Sequence, residues 1–359
     1  MAMLPADRPK GRGSALAPPN RFERVHLEND FEQLDVLDEG DRSPKASKSE
    51  FLPDHTRSVI CENDSPDIPF RYSINPYRGC EHGCAYCYAR PYHELLGMNA
   101  GLDFETKILV KHDAANLLRR ELAHPAWRGE PITISGVTDC YQPAERRFRI
   151  TRSLLEVLSE ARQATGLITK NALIVCDLDL LAPMGERNLV QAAVSLTTLD
   201  AELGRVLEPR TSSPAARLRA IGQLSAAGVH VRVMTAPLIP GLNDQELPEL
   251  LAAAKEAGAQ SAGYTLLRLP LAVAPVFLDW LDVHRPLLKR KVESLVRDAR
   301  DGKLNTSQFG KRMRGEGAYA EGIRNTFKVF CRKLGFGESA PLDTTQFRPP
   351  VVDGQLRLF

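Results

Sequence analysis

No stretch of this 359-residue chain approaches the roughly 20 consecutive apolar residues that a membrane-spanning helix requires, which excludes a helical membrane protein. Its opening residues, Met1 to Arg8, have no apolar secretory core, so a cytoplasmic location is expected, with no membrane partner. Charge of either sign is not in excess. Lys and Arg total 47 against 45 Asp and Glu, a net +2 that by itself says nothing about nucleic acid. Seven cysteines, an odd number outside a secretory context, argue against a disulfide framework. Cys61, Cys140, Cys176 and Cys331 are scattered, as small buried apolar residues usually are. No internal repeat is present.

Hydrophobic residues make up 43% of the chain, enough for a sizeable core. Residues 1–65 mix Arg, Pro, Gly, Ser and acidic groups without sustained periodicity and read as an N-terminal arm, partly flexible, with ordered pieces near Asn20–Leu27 and Ser49–Leu52. From Phe70 onward, short β-rich runs at 70–76, 132–136, 166–169, 191–197, 229–235 and 262–267 alternate with helical patterns. The helices are expected at 113–123, 150–163, 174–182, 214–227 and 245–257. Such alternation predicts an α/β fold with a parallel sheet and crossover helices. A domain over 66–285 is followed by a basic extension over 286–338 and a tail over 339–359.

The cysteines that are not scattered are Cys80, Cys84 and Cys87, in a C-x3-C-x2-C spacing with Tyr86 before the third. Three close thiolates can hold three corners of a cubane iron–sulfur cluster. Electron-transfer clusters usually take four protein thiolates, so an iron left without one is open to a substrate or cofactor. A structural zinc completed by His82 or His93 is the competing reading, although such sites usually pair their ligands in two separated halves. Gly79 and Gly83 suit a loop that wraps a bulky group, or an ordinary turn.

These residues resemble the cluster motif of the radical S-adenosylmethionine superfamily. Asn75 to Cys80 and Cys87 to Arg90 are similar to the branch that contains spore photoproduct lyase. The resemblance spans about residues 66–285. It implies an open six-stranded partial (β/α)6 barrel and a 4Fe-4S cluster on Cys80, Cys84 and Cys87. It also implies S-adenosyl-L-methionine on the open iron, cleaved by an electron from a donor such as flavodoxin or ferredoxin to give a 5′-deoxyadenosyl radical.

In a parallel β/α barrel, functional groups gather at the carboxyl ends of the strands. By resemblance, Gly136, Thr138 and Asp139 after the second strand approach the cofactor's amino group, although the acidic motif common elsewhere in the superfamily is absent. Lys170 and Ser195 are candidates for its carboxylate and Thr197 for its ribose. A turn rich in Thr and Asp, and a solvated lysine, are the plain alternatives. Met234 to Asp244 resembles the adenine-side loop. Cys140 is placed on the rim as a hydrogen-atom donor to a substrate radical, with Tyr141 as a relay; a buried core thiol and a packing tyrosine are the alternatives.

Residues 285–333 hold fourteen Lys or Arg against five Asp or Glu, an excess that favours a polyanionic partner over a merely solvated helix face. The interleaved Phe309, Tyr319, Phe327 and Phe330 are expected to pack under helices. The last five residues, Gln355, Leu356, Arg357, Leu358 and Phe359, resemble the pentapeptide by which bacterial repair proteins dock on the DNA sliding clamp. Four specified residues coincide there by chance on the order of once in 10⁵. Together these features predict a radical enzyme acting on DNA, with lesion repair as its task. The alternatives are a radical enzyme modifying RNA or protein, and a non-catalytic iron–sulfur or zinc module.

Overall fold

The computed structural model describes residues 9–23 and 48–352. Among the described residues there are ten strands: β1 (Glu50–Pro53), β2 (Ile60–Glu62), β3 (Tyr72–Ile74), β4 (Tyr77–Arg78), β5 (Lys107–Val110), β6 (Ile132–Ile134), β7 (Thr165–Thr169), β8 (Val190–Ser195), β9 (His230–Leu238) and β10 (Ser261–Leu266). A seven-stranded sheet has the order β10-β9-β8-β7-β6-β3-β2. Six of its strands run parallel, and β2 closes one edge antiparallel to β3. The six parallel strands are those expected from sequence, and their order makes the open α/β partial barrel. A small second sheet, β1-β5-β4, lies outside that expectation.

Register explains the alternating pattern. Ile74, Ile134, Leu167, Ala192 and Val231 pair in one row across five strands, all essentially buried in the main apolar core. One residue back, Ser73, Thr133, Gly166, Gln191 and His230 form the next row and face the opposite side. Helices cover the apolar row. Ala114–Ala123 buries Leu117, Leu118 and Leu122, and Ile150–Glu160 buries Leu154, Leu155 and Leu158, each at helical spacing. Asp200 caps Ala201–Leu207, and Ser213 caps Pro214–Ala226 with proline at its first position. No helix among the described residues is long and apolar enough to cross a membrane.

After β10 come three helices, Val273–His284 at the end of the domain and Lys289–Asp298 and Gly317–Lys333 in the basic extension. Phe327 and Phe330 pack against the main core, the former 4.7 Å from the Tyr264 ring centroid, and Phe309 stays exposed. Several of the cations are engaged internally: Lys289 with Asp282, Arg297 with Glu293, Lys311 with Glu316 and Arg312 with Asp67. Between the second and third of these helices the chain crosses the open side of the sheet. Met313 accepts a hydrogen bond from Leu266 of β10, at 2.9 Å, while Gly310 donates to Asp67 in the β2–β3 loop at 2.7 Å. The clamp-like residues Gln355, Leu356, Leu358 and Phe359 lie outside the described residues.

Part of the stretch read as an arm is built into the fold. β2 belongs to the main sheet, and residues 12–16 run directly over the cysteine loop. The amides of Gly13 and Ser14 donate to the Glu105 carboxylate at 3.0 and 2.8 Å. A Cβ on Gly13 would sit 1.7 Å from the carbonyl oxygen of Gly83, so only glycine permits this approach. Glu105 is also paired with Arg90 at 2.5 Å, and both are wholly buried.

Removing one partner of such a pair leaves a buried charge uncompensated, at a cost of about 3–5 kcal/mol. Glu105→Gln is expected to lower the urea-unfolding free energy by about that amount. A variant as stable as the parent would show that the pair does not hold this region.

Candidate functional site

The cysteine loop begins after β4 and is shaped by two residues in the left-handed region, Gly79 at φ 81° and Gly83 at φ 62°. A Cβ on Gly83 would meet Glu105 Oε2 at 2.6 Å, and one on Gly79 would meet the Lys107 carbonyl oxygen at 2.9 Å. Both glycines are therefore required by this loop. Its backbone is tied at several points: Cys80 N–H to the Phe104 carbonyl at 2.8 Å, Ala85 N–H to Leu207 at 3.0 Å, and Glu81 N–H to the Gln142 side chain at 2.8 Å. From below, the Arg90 guanidinium donates to the carbonyls of Cys84, Ala100 and Gly101 while paired with Glu105.

Cys80 and Cys84 are buried and Cys87 is partly buried. Burial pushes all three thiols up, against the pull of Lys170 on Cys84 and of Arg90 on Cys87. In such surroundings a thiol gives up its proton when a metal takes its place. Structural zinc usually pairs its ligands in two separated halves, which this single loop does not offer. Three thiols spread along one glycine-shaped loop suit the corners of a cubane.

Beside Cys84, Tyr86 of the cysteine loop meets Lys170 after β7, Thr197 after β8, Glu208 at the end of helix Ala201–Leu207 and Arg217 of helix Pro214–Ala226. Lys170, at the end of β7, is half-buried; its Nζ donates to the Ala236 carbonyl at 3.1 Å and lies 5.9 Å from the Tyr86 ring centroid. Thr197 donates to Glu208 at 2.7 Å, and Glu208 also accepts from Tyr86 and from Arg217. Burial alone would raise the Glu208 carboxyl. The charges of Arg217 and Lys170 and the hydroxyls of Tyr86 and Thr197 outweigh it and hold the pKa down to about 2. Ser195 is buried nearby, and its carbonyl accepts from Arg217 at 3.1 Å. Lys170, with one acceptor and further donors, can offer a cation to a carboxylate.

The residues after β6 make bonds of their own. Thr138 donates its hydroxyl to the Tyr77 carbonyl at 2.7 Å, and its amide and that of Val137 donate to Asn75. Asp139 accepts from Thr169, Tyr141 N–H and Lys170 N–H at 2.7–2.9 Å, and lies 3.4 Å from His82 Nδ1. Burial raises the Asp139 carboxyl, but His82 and these donors hold it below its ordinary value. Thr138 and Asp139 thus brace the strand ends that carry Lys170. Gly136 accepts from the Tyr88 hydroxyl at 2.8 Å.

Cys140 and Tyr141 are not on an open rim. Cys140 is 0% exposed within the main apolar core, its thiol turned to the Ile168 carbonyl at 3.8 Å. Tyr141 is buried and donates to Asp177 at 3.0 Å. The bonds of Asp139 turn the chain inward, so the next two side chains pack beneath the sheet ends rather than at the mouth. Reading along the sequence missed Glu208, Arg217, Glu105 and Asn171, named Arg90 only as part of the motif, and named His82 only as a candidate zinc ligand. His82 and Asn171 meet at 3.1 Å, linking the cysteine loop to the turn after β7.

The family model of the Radical SAM superfamily matches residues 74–254. Over 264 residues the chain is 38% identical to an uncharacterized protein of Mycobacterium tuberculosis, covering 71% of this chain and 77% of that one. An uncharacterized protein of Methanocaldococcus jannaschii is 28% identical over 176 residues, 49% of this chain and 63% of that one. Among solved structures, a spore photoproduct lyase mutant aligns with a TM-score of 0.60 at 17% identity, over 80% of this chain and 81% of that chain. The same enzyme complexed with dinucleoside spore photoproduct aligns at 0.59 and 16% identity, over 83% and 84% of the two chains. This likeness is one of fold.

The depressed Glu208 carboxyl has a consequence for stability. A glutamate at 4.5 when unfolded and about 2 when folded stabilises the protein above the higher value by about 3 kcal/mol. That contribution is lost as pH falls from about 5 towards 2, because the unfolded chain then binds the proton first. Urea unfolding of Glu208→Gln and parent is expected to differ most at neutral pH and to converge in acid. A gap independent of pH would remove Glu208 from this role.

Proposed function

Because the chain belongs to the radical S-adenosylmethionine superfamily, we propose that it is an enzyme that starts radical chemistry on DNA, with lesion repair as its task. The observation that carries this reading is the meeting of Cys80, Cys84 and Cys87 with Lys170, Thr197 and Glu208 at the carboxyl ends of the strands, where a parallel β/α barrel places its chemistry. The three thiols would hold a 4Fe-4S cluster. When bound, the cluster and S-adenosyl-L-methionine supply a 5′-deoxyadenosyl radical through one-electron cleavage of the sulfonium.

The chain's own residues bind and orient. Lys170 would receive the cofactor carboxylate, held in line by its backbone bond to Asp139. Thr197 and Ser195 line the same side, and Arg217 neutralises Glu208 so that no net negative charge opposes an anionic group there. Gly136, drawn to the Tyr88 hydroxyl, leaves the backbone free of a side chain where the amino group would approach. Electrons would come from a small donor such as flavodoxin or ferredoxin.

DNA is favoured by the excess of cations over residues 285–333 and by the shared fold with spore photoproduct lyase, solved with a dinucleoside photoproduct. After anaerobic reconstitution, reductive cleavage of S-adenosylmethionine is expected, lost in Cys84→Ala, together with altered bases in ultraviolet-damaged DNA by mass spectrometry. No cleavage would leave a non-catalytic module. Cleavage with unchanged DNA but modified RNA or protein would move the substrate.

The tail carries a second, independent element. Gln355, Leu356, Leu358 and Phe359 would dock in an apolar groove of the bacterial sliding clamp, glutamine setting orientation and the last two residues filling the groove. The free peptide is expected to bind the clamp at micromolar concentration, and Phe359→Ala to abolish it. No binding at hundreds of micromolar would dispose of the tail's role.

A further inference from the structure

Arg268 stands two residues beyond β10, at the same end of the sheet as the cysteine loop. Its surroundings are unusual for a guanidinium. Among the described residues the buried Nε has no hydrogen-bond partner, and Nη1 meets only the Met313 sulfur, at 3.7 Å. The group lies 5.5 Å from the ring centroid of Tyr88, the residue that follows Cys87. The nearby carboxylate, Asp67, is already held by Arg312 Nε and by Gly310 N–H, each at 2.7 Å. The neighbouring Arg300 directs its guanidinium to the carbonyls of Leu266, Leu267 and Arg312.

Two cations, Arg300 and Arg312, therefore stand close to a third that among the described residues forms no close ion pair, Asp67 acting on it only at longer range while held by Arg312. Burial and the charge of Arg312 press the Arg268 guanidinium below its ordinary value. A desolvated charge left without a partner is costly, and groups held that way gather at sites that receive a ligand. What it would receive is narrowed by the rings around it. Tyr88, Tyr92 and Phe309 are 42%, 55% and 55% exposed, and Arg312 already lies over the Phe309 ring at 4.6 Å. Exposed aromatic faces beside arginine are the means by which proteins hold unpaired nucleic acid, bases stacked on rings and phosphates on cations. A guanidinium suits the phosphate because its N–H groups can meet two oxygens at once.

We propose that Arg268 binds a phosphate of the nucleic-acid strand and so fixes that strand beside Tyr88 at the mouth of the cysteine loop. This rests on the reading of DNA as substrate. The anchor fixes the strand at the radical-generating end of the barrel, while Tyr88, Tyr92 and Phe309 offer faces to the unpaired bases. Since among the described residues the guanidinium forms no close ion pair, and Asp67 is held by Arg312 and Gly310, removing it leaves those contacts intact.

The test compares the full-length reconstituted protein with Arg268→Met and Arg268→Lys, using a fluorescent single-stranded oligonucleotide and a salt series. Arg268→Met is expected to bind about tenfold more weakly and to flatten the slope of log affinity against log salt by about 0.7, one phosphate contact. Arg268→Lys is expected to keep the slope, and the melting temperature of Arg268→Met to stay level or rise. Unchanged affinity and slope in Arg268→Met would overturn the proposal while leaving DNA as substrate. Weaker binding with a fall in melting temperature not rescued by lysine would make Arg268 structural and overturn it too. Weakened binding of S-adenosylmethionine by Arg268→Met would assign the residue to the cofactor instead. No oligonucleotide binding by the parent would overturn the DNA reading itself, and the anchor with it.

Discussion

The buried pair of Arg90 and Glu105 is the constraint on which the cysteine loop depends. A loop that must surround a bulky group cannot form regular structure, so its carbonyls need donors from elsewhere. Arg90 supplies them to Cys84, Ala100 and Gly101 from one planar group. A lysine could not, because its donors radiate from a point. The guanidinium charge must then be balanced in a dry interior, which Glu105 does, and the remaining lone pairs of Glu105 are filled by the amides of Gly13 and Ser14. One charge thus draws a distant segment of chain over the loop and seals it. The glycines at 13 and 83 follow from that contact, since the two backbones meet where no side chain fits.

A second buried pair, Glu208 with Arg217, does for the cofactor side what the first does for the loop. It joins the residue before the third cysteine, Tyr86, to the ends of β8 and β9 through Thr197 and Asn243. The two pairs flank Cys84, one beneath and one beside it. Between them, Asp139 couples β6 to β7 through its side chain, so the cysteine loop, Lys170 and the turn after β6 are held as one unit. Each carboxylate accepts at least three hydrogen bonds or ion pairs, which is what permits a charge to remain in the interior at all.

The sheet was legible because period and composition agree: six β-branched, apolar runs separated by amphipathic helices leave few other arrangements. The short elements were not. β2, with three residues, and β1, with four, lie in a stretch whose polarity and prolines resemble a flexible arm, and their order comes from partners far along the chain. The cysteine triplet announced itself by spacing, and Lys170 by its place at a strand end. Glu105, Arg90, Glu208 and Arg217 look in sequence like ordinary solvated charges, because pairing across 15 or 9 residues in irregular backbone leaves no periodic trace. Cys140 shows the converse limit. A residue next to a strand end has two sides to choose from, and the hydrogen bonds of its neighbour Asp139 decide for the core.

An open sheet has two edges, and the way this one is finished changes what its basic extension means. β2 covers one edge, and the backbone of Met313 takes up the amide of Leu266 on the other, reducing the exposed ladder that would otherwise invite another strand. The same segment reaches the β2–β3 loop through Arg312 and Gly310, so the extension clasps the open side of the barrel. Arg300 and Arg312 are committed to that clasp. The local excess of positive charge is therefore not a free patch along a helix. It is partly a structural device, and its Arg300 and Arg312 press upon Arg268, a cation outside the extension that follows β10 at the end of the sheet where the cysteine loop lies. Architecture and electrostatics meet there: closing the barrel with arginines ties the carboxylate of Asp67 to Arg312, so that among the described residues Arg268 has no close ion pair of its own.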